Sequence, residues 1–126
     1  MKNLFRLIPL LLLTVLTLAC FASGPESTVK KFYGAIEDGE VDKASEMLSS
    51  RILGLLGPDK LRQALSKQAL EIKKKGGIKS IDILEMNEVG EIAEGKIKIT
   101  YGDGSEETED VKLVKEEGKW KLDADK

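Results

Sequence analysis

Lys73-Lys74-Lys75-Gly76-Gly77-Ile78-Lys79-Ser80-Ile81-Asp82-Ile83 is the stretch on which the fold turns. Before it, apolar residues recur every three or four positions. After it, Ile81 and Ile83 alternate with Ser80 and Asp82, the period-two mark of a strand with one buried face. Two successive glycines end a helix, and three lysines crowd its last turn, where positive charge complements the helix dipole. Helices on one side of this point and strands on the other make an α+β domain.

Working downstream, Leu84 and Met86 continue on shifted parity, which predicts a bulge. A turn at Val89-Gly90-Glu91 leads into Ile97, Ile99 and Tyr101, alternating with Lys96, Lys98 and Thr100. Asp103-Gly104 marks a hairpin. Val111 and Leu113 alternate with Asp110 and Lys112. Glu117-Gly118 is the next turn, and Trp120 and Leu122 complete the pattern. The expectation is a meander of four antiparallel strands with one apolar face. The acidic run Glu106-Glu107-Thr108-Glu109-Asp110 falls near a hairpin tip, reads as solvated and discourages edge pairing.

Upstream, Leu61, Leu65, Ala69 and Ile72 share one face of a helix opened by Pro58 and Asp59. Arg51-Ile52-Leu53-Gly54-Leu55-Leu56-Gly57 has no such period and reads as an apolar loop tucked under the domain. Val41, Ala44, Met47 and Leu48 form the apolar face of a shorter helix. Val29, Phe32, Tyr33 and Ile36 follow at i, i+3, i+4, i+7, the stripe of a first helix over about 25–38. Ser23-Gly24-Pro25-Glu26 reads as its capping box, and Gly39 as its stop. Three N-terminal helices therefore pack on the four-stranded sheet, in one domain over residues 25–126.

Residues 1–19 belong to a different kind of segment. Lys2 and Arg6 precede a 13-residue apolar run over residues 7–19, and a small residue, Ala19, precedes Cys20. This is the layout of a secretory signal peptide. Thr17-Leu18-Ala19-Cys20 resembles the lipobox of bacterial lipoproteins. That resemblance implies cleavage between Ala19 and Cys20 and a lipid on the Cys20 thiol. Thr17 departs from the pattern, which has Leu three residues before the cysteine. An uncleaved anchor over residues 7–25, 19 uncharged residues, is the alternative, shortened by Pro9, Gly24 and Pro25. From Cys20 to Ser23 the chain reaches about 10 Å at most, so the domain is expected close to the membrane surface. In a two-membrane envelope, Phe21 in place of Asp favours the outer membrane under the lipoprotein sorting rule.

Composition excludes more than it assigns. The chain has 126 residues, 20 of them Lys or Arg and 22 Asp or Glu, for a net charge of −2. Removing residues 1–19 takes away two basic residues and no acid. Such a mixed, mildly acidic surface does not suit a nucleic acid. There is one cysteine and no histidine. A Ser-His-Asp arrangement is therefore impossible, a structural zinc site lacks its usual ligands, and no metal or cofactor is expected.

Pro25-Glu26-Ser27-Thr28-Val29-Lys30-Lys31-Phe32-Tyr33-Gly34-Ala35-Ile36-Glu37-Asp38-Gly39, the Asp42-Lys43-Ala44 turn and the closing Gly118-Lys119-Trp120-Lys121-Leu122 strand resemble a family of small bacterial lipoproteins of unknown function. That family belongs to the nuclear-transport-factor-two-like superfamily, whose fold is a cone of helices on a curved sheet and which also houses ketosteroid isomerase. The resemblance implies the cone and, by itself, no activity. Within such a cone, Phe32, Tyr33, Ile36, Tyr101 and Trp120 are the candidates to line a pocket for a small apolar ligand, or simply to fill the core. Asp82 or Glu85 would be the carboxylate of an isomerase or dehydratase, or a solvent-facing acid. Three readings of function stand: a membrane-anchored module that binds an apolar ligand or an envelope protein, a carboxylate enzyme, and a structural envelope component. The superfamily's habit of pairing through its sheet adds a homodimer as an expectation.

Overall fold

The computed structural model describes residues 24–124. Residues 1–19, Cys20, Phe21 and Ser23 lie outside it, and so do the signal-peptide, lipidation and capping-box expectations that rest on them. The elements run α1 (Pro25–Glu37), α2 (Val41–Ser45), α3 (Ser50–Lys74), β1 (Ile78–Val89), β2 (Ile92–Tyr101), β3 (Glu106–Glu116) and β4 (Lys119–Asp123).

Helix α1 begins after Gly24 with Pro25 at its first position, where the missing amide hydrogen costs nothing. Gly24 has no side chain to cap with; its carbonyl instead accepts from the Thr28 amide at 3.1 Å and the Thr28 hydroxyl at 3.2 Å. Val29, Phe32, Tyr33 and Ile36 are all buried, as their spacing requires. Each such side chain contributes about 1.5–3 kcal/mol on leaving water. The Glu37 carboxylate then accepts from the Ile78 amide at 2.9 Å and fastens the end of α1 to the start of β1.

Residues 51–57 correct the sequence reading. They are not a loop under the domain. Helix α3 starts at Ser50, and the Ser49 hydroxyl caps it by accepting from the Ile52 amide at 3.3 Å. Leu53, Leu55 and Leu56 stand exposed on it. Gly57, with φ 73° and ψ 164°, breaks the helical path, and Pro58 restarts it. The second half carries the expected face: Leu61, Leu65 and Ile72 are buried and Ala69 packs against them. The start of α3 is clamped to β4. Ser49 donates its hydroxyl to Asp123 at 2.7 Å and its amide to the Leu122 carbonyl, and Arg51 lies 3.5 Å from Asp123. Glu116 accepts from both the amide and the hydroxyl of Ser50.

The four strands form an antiparallel meander in chain order. Val89 pairs with Ile92 across a two-residue turn at Gly90-Glu91, and Glu116 pairs with Lys119 across Glu117-Gly118. Asp103 holds its turn by accepting from the Ser105 amide at 2.8 Å and hydroxyl at 2.6 Å, which keeps its carboxyl below the usual carboxylate range. The register slips between Ile83 and Glu85, so Leu84 is extruded and Met86 returns to the inner face, opposite Gly95. Gly95 has to be glycine there, because a Cβ would lie 2.2 Å from the Glu85 carbonyl oxygen. Ala93, Ile97, Ile99, Tyr101, Val111, Leu113, Trp120 and Leu122 of the sheet join the helix residues in one core. Strand β4 pairs only with Lys112–Glu116, so the outer side of Glu106–Val111 has no strand beside it among the described residues.

Candidate functional site

Two carboxylates stand on the inner face of the sheet, and they are not the two singled out from the sequence. Asp82 pairs with Lys98 and Glu85 with Lys96, on the face opposite Ile81 and Ile83, and both acids are exposed. On β3 the parity runs the other way. Glu107 faces Ile99 and Glu109 faces Ile97 across the β2–β3 pair, in line with Val111 and Leu113. Ile97 and Ile99 are fully buried, so the row to which Glu107 and Glu109 belong points at the helices.

Each carboxylate is met by a tyrosine. The Tyr33 hydroxyl of α1 donates to Glu109 Oε2 at 2.5 Å, and the Tyr101 hydroxyl of β2 donates to Glu107 Oε2 at 2.7 Å. Burial, then the bond to Glu109, pushes the Tyr33 phenol above its ordinary value, and Tyr101 moves the same way through burial and Glu107. Both stay protonated donors across the physiological range. Lys75, just past α3, lies 3.8 Å from the same Glu107 oxygen and 4.5 Å from the centre of the Tyr101 ring. Its ammonium therefore sits against an aromatic face and beside a carboxylate at once.

Backbone geometry fixes that arrangement. Gly76 and Gly77 both have positive φ, and the β2–β3 turn is clasped against them. The Asp103 amide donates to the Lys75 carbonyl and the Gly102 amide to the Gly77 carbonyl, each at 2.8 Å. A Cβ at Gly102 would lie 2.2 Å from the Gly76 carbonyl oxygen. The double glycine that marks the helix end in the sequence is thus also what lets Lys75 approach Tyr101.

Tyr101, Glu107, Glu109 and Lys75 line an open groove of about 380 Å³ whose other wall is α3 from Ala64 to Ile72. A larger groove, about 650 Å³, runs between the end of α1 and α3 over Val41, Ala69, Leu70 and Ile72. It offers more apolar surface but no comparable set of positioned polar groups. Of the five residues picked from the sequence, all are buried. Tyr33 and Tyr101 come together at the two carboxylates. Phe32 packs edge-on against Tyr33 with ring centres 5.4 Å apart, and Ile36 is fully buried. Trp120 lies elsewhere, under Lys115 and beside a groove shared with Thr28, Lys31 and Met47. Glu107, Glu109 and Lys75 were missed. Stepping back by twos from Val111 reaches both glutamates, but five polar residues in a row hid the parity. Among the described residues there is no group of three or more metal-ligating side chains.

Solved structures share this architecture. A crystal structure of a proposed NTF2-like transpeptidase from Campylobacter jejuni superposes with a TM-score of 0.69 at 22% identity, covering 82% of this chain and 100% of that one. The solution structure of a SEC-C motif containing protein from Rhodopseudomonas palustris superposes with a TM-score of 0.58 at 19% identity, covering 82% and 77%. At these identities the likeness shows the nuclear-transport-factor-two-like fold and nothing more. None of the curated proteins matches the chain. The model of a domain of unknown function, DUF4878, matches residues 18–123, and the chain belongs to that family.

Proposed function

We propose that this chain is a lipid-anchored binding module of the bacterial envelope. Residues 1–19 export it, cleavage between Ala19 and Cys20 and lipidation of Cys20 hold it at the membrane, and its cone of helices on a curved sheet presents the groove between α3 and β3 to a ligand. Where the host has two membranes, Phe21 directs it to the outer one. No helix of the described residues is long and apolar enough to cross a membrane, so on this reading attachment falls to the first 23 residues.

The observation that carries the binding role is the set Tyr101, Glu107, Glu109 and Lys75 on the wall of an open groove. Two carboxylates held by tyrosine hydroxyls, with a cation resting on one of the rings, form a ready-made seat for an ammonium group. Ile72 and Ala64 beside it suit the apolar part of the same ligand. Lys75 marks the seat and would yield it to the ligand.

Native mass spectrometry of the chain purified from its host tests this reading, because it reports a retained ligand and any homodimer together. We expect a retained amine-bearing molecule that Glu107→Gln with Glu109→Gln releases. A ligand-free protein whose grooves take up no alkylammonium probe in titration would sink the binding role. A second reading, a carboxylate enzyme of the isomerase or dehydratase kind, draws support from the 2.5 Å Tyr33–Glu109 bond, which holds a carboxylate in place on the groove wall. It moves the candidate base from Asp82 or Glu85 to Glu109.

A further inference from the structure

Val89 and Ile92 flank the Gly90-Glu91 turn that joins β1 to β2. They are 79% and 46% exposed, and Val89 is the most exposed large aliphatic side chain among the described residues. Neither belongs to the core or to the side chains packed against it, and a turn tip is ordinarily polar. Their position gives them a use. One groove, about 580 Å³, is lined by Gly24, Pro25 and Ser27 at the start of α1 and by Met86 and Glu88 of β1. Glu88 is the residue before Val89. The point where the described chain begins therefore lies beside this hairpin tip. The β3–β4 end is fastened there too, through the Lys115 amide and the Glu91 carbonyl at 2.8 Å. The β2–β3 turn, with Asp103 and Glu106, lies at the opposite end of the sheet.

We infer that the β1–β2 hairpin tip is a second membrane contact, dipping Val89 and Ile92 into the bilayer to which Cys20 tethers the chain. The inference rests on the lipid anchor proposed above. Only four residue steps separate Cys20 from Gly24, a reach of about 14 Å at most. A lipid on Cys20 thus brings this end of the domain, and no other, to the headgroups. Two aliphatic side chains on a tip gain by leaving water at that interface, as the apolar face of an interfacial helix does. Glu91 stands at the apex between them and Glu88 precedes Val89, so their charge holds the contact shallow, at the headgroup layer. Contact of this kind is shallow and apolar, so it withstands salt. It also fixes orientation: one tether leaves the domain free to swivel, whereas a tether and a tip beside it stand the sheet on end and turn the Tyr101–Glu107 groove away from the lipid.

The chain's one cysteine is Cys20, so in the lipidated protein an introduced thiol is the only one free to label. Full-length Val89→Cys, Ile92→Cys and Glu106→Cys are purified with their lipid, labelled with an environment-sensitive fluorophore, and reconstituted into phosphatidylcholine vesicles carrying doxyl-labelled lipid. We expect loss of fluorescence at 89 and 92, unchanged by high salt, and none at 106. Vesicle-bound protein with equal, weak quenching at all three positions overturns the tip contact and leaves the anchor standing. Protein that reacts at Cys20 and does not partition with vesicles overturns the anchor, and the tip contact with it. All three positions are exposed, so the substitutions leave the core untouched.

Discussion

A single hydroxyl ties α1 to the sheet at its least apolar point. Tyr33 is buried, and its one polar atom finds Glu109 on β3, 76 positions away in sequence. Burial and that bond both raise the phenol's pKa, so the folded protein holds this proton more tightly than the unfolded chain. The stabilisation is complete below the ordinary tyrosine pKa of about 10 and is lost as pH rises beyond it toward the folded value. Urea denaturation at pH about 8 and about 11 should show a steep loss in the parent. In Tyr33→Phe that loss should be smaller, with a remainder due to Tyr101, whose pKa is raised in the same direction. Equal losses in the two proteins would mean that the Tyr33–Glu109 bond does not govern the alkaline limb. The glutamates were invisible to a reading that took a run of charge as a solvated face. What decides their side is backbone alternation, and Val111 and Leu113 fix that alternation two residues further on.

At the level of elements, two joints carry the assembly. The first is the bulge of β1. It could be read from the parity change at Leu84, but the tightness of its fit to Gly95 could not, since that depends on a backbone carbonyl of another strand. Gly95→Ala places a methyl against an oxygen that cannot move without breaking the ladder, and should cost about 3 kcal/mol. A thermal melt indistinguishable from the parent's would contradict this. The second joint is the start of α3. Ser49 caps the helix and also donates to Asp123, a carboxylate only 6% exposed. Ser49→Ala removes both bonds and leaves Asp123 with Arg51 alone, so a loss of about 2 kcal/mol is expected, seen as a lower urea midpoint at unchanged slope. That helix was missed in the sequence for a clear reason. Gly54 and Gly57 interrupt residues 51–57, and the leucines between them follow no helical stripe because they do not face the core. Ser49 caps the helix locally through the Ile52 amide, but the Asp123 carboxylate that holds its hydroxyl comes from the far end of the chain.

For the molecule as a whole, the order of elements, the meander and the inner face of the sheet were written in the sequence as a change of period at Gly76-Gly77. One core with helices on a sheet follows from that change alone. The groove did not follow, because it is made by three elements that meet only in space: the end of α3, the last residue of β2 and the first half of β3. The same geometry leaves β4 too short to cover β3, so along Glu106–Val111 a row of backbone amides and carbonyls has no strand beside it among the described residues. Proteins confined to a membrane meet one another in two dimensions, upright and at high local density, where an open strand is an invitation to zip copies into a ribbon. Glu106 and Asp110, exposed on the outer face of that strand, place like charge beside the open row and oppose its pairing with a second copy. On the lipid anchor proposed above, a short last strand and two outward acids would keep crowded copies from joining through this edge.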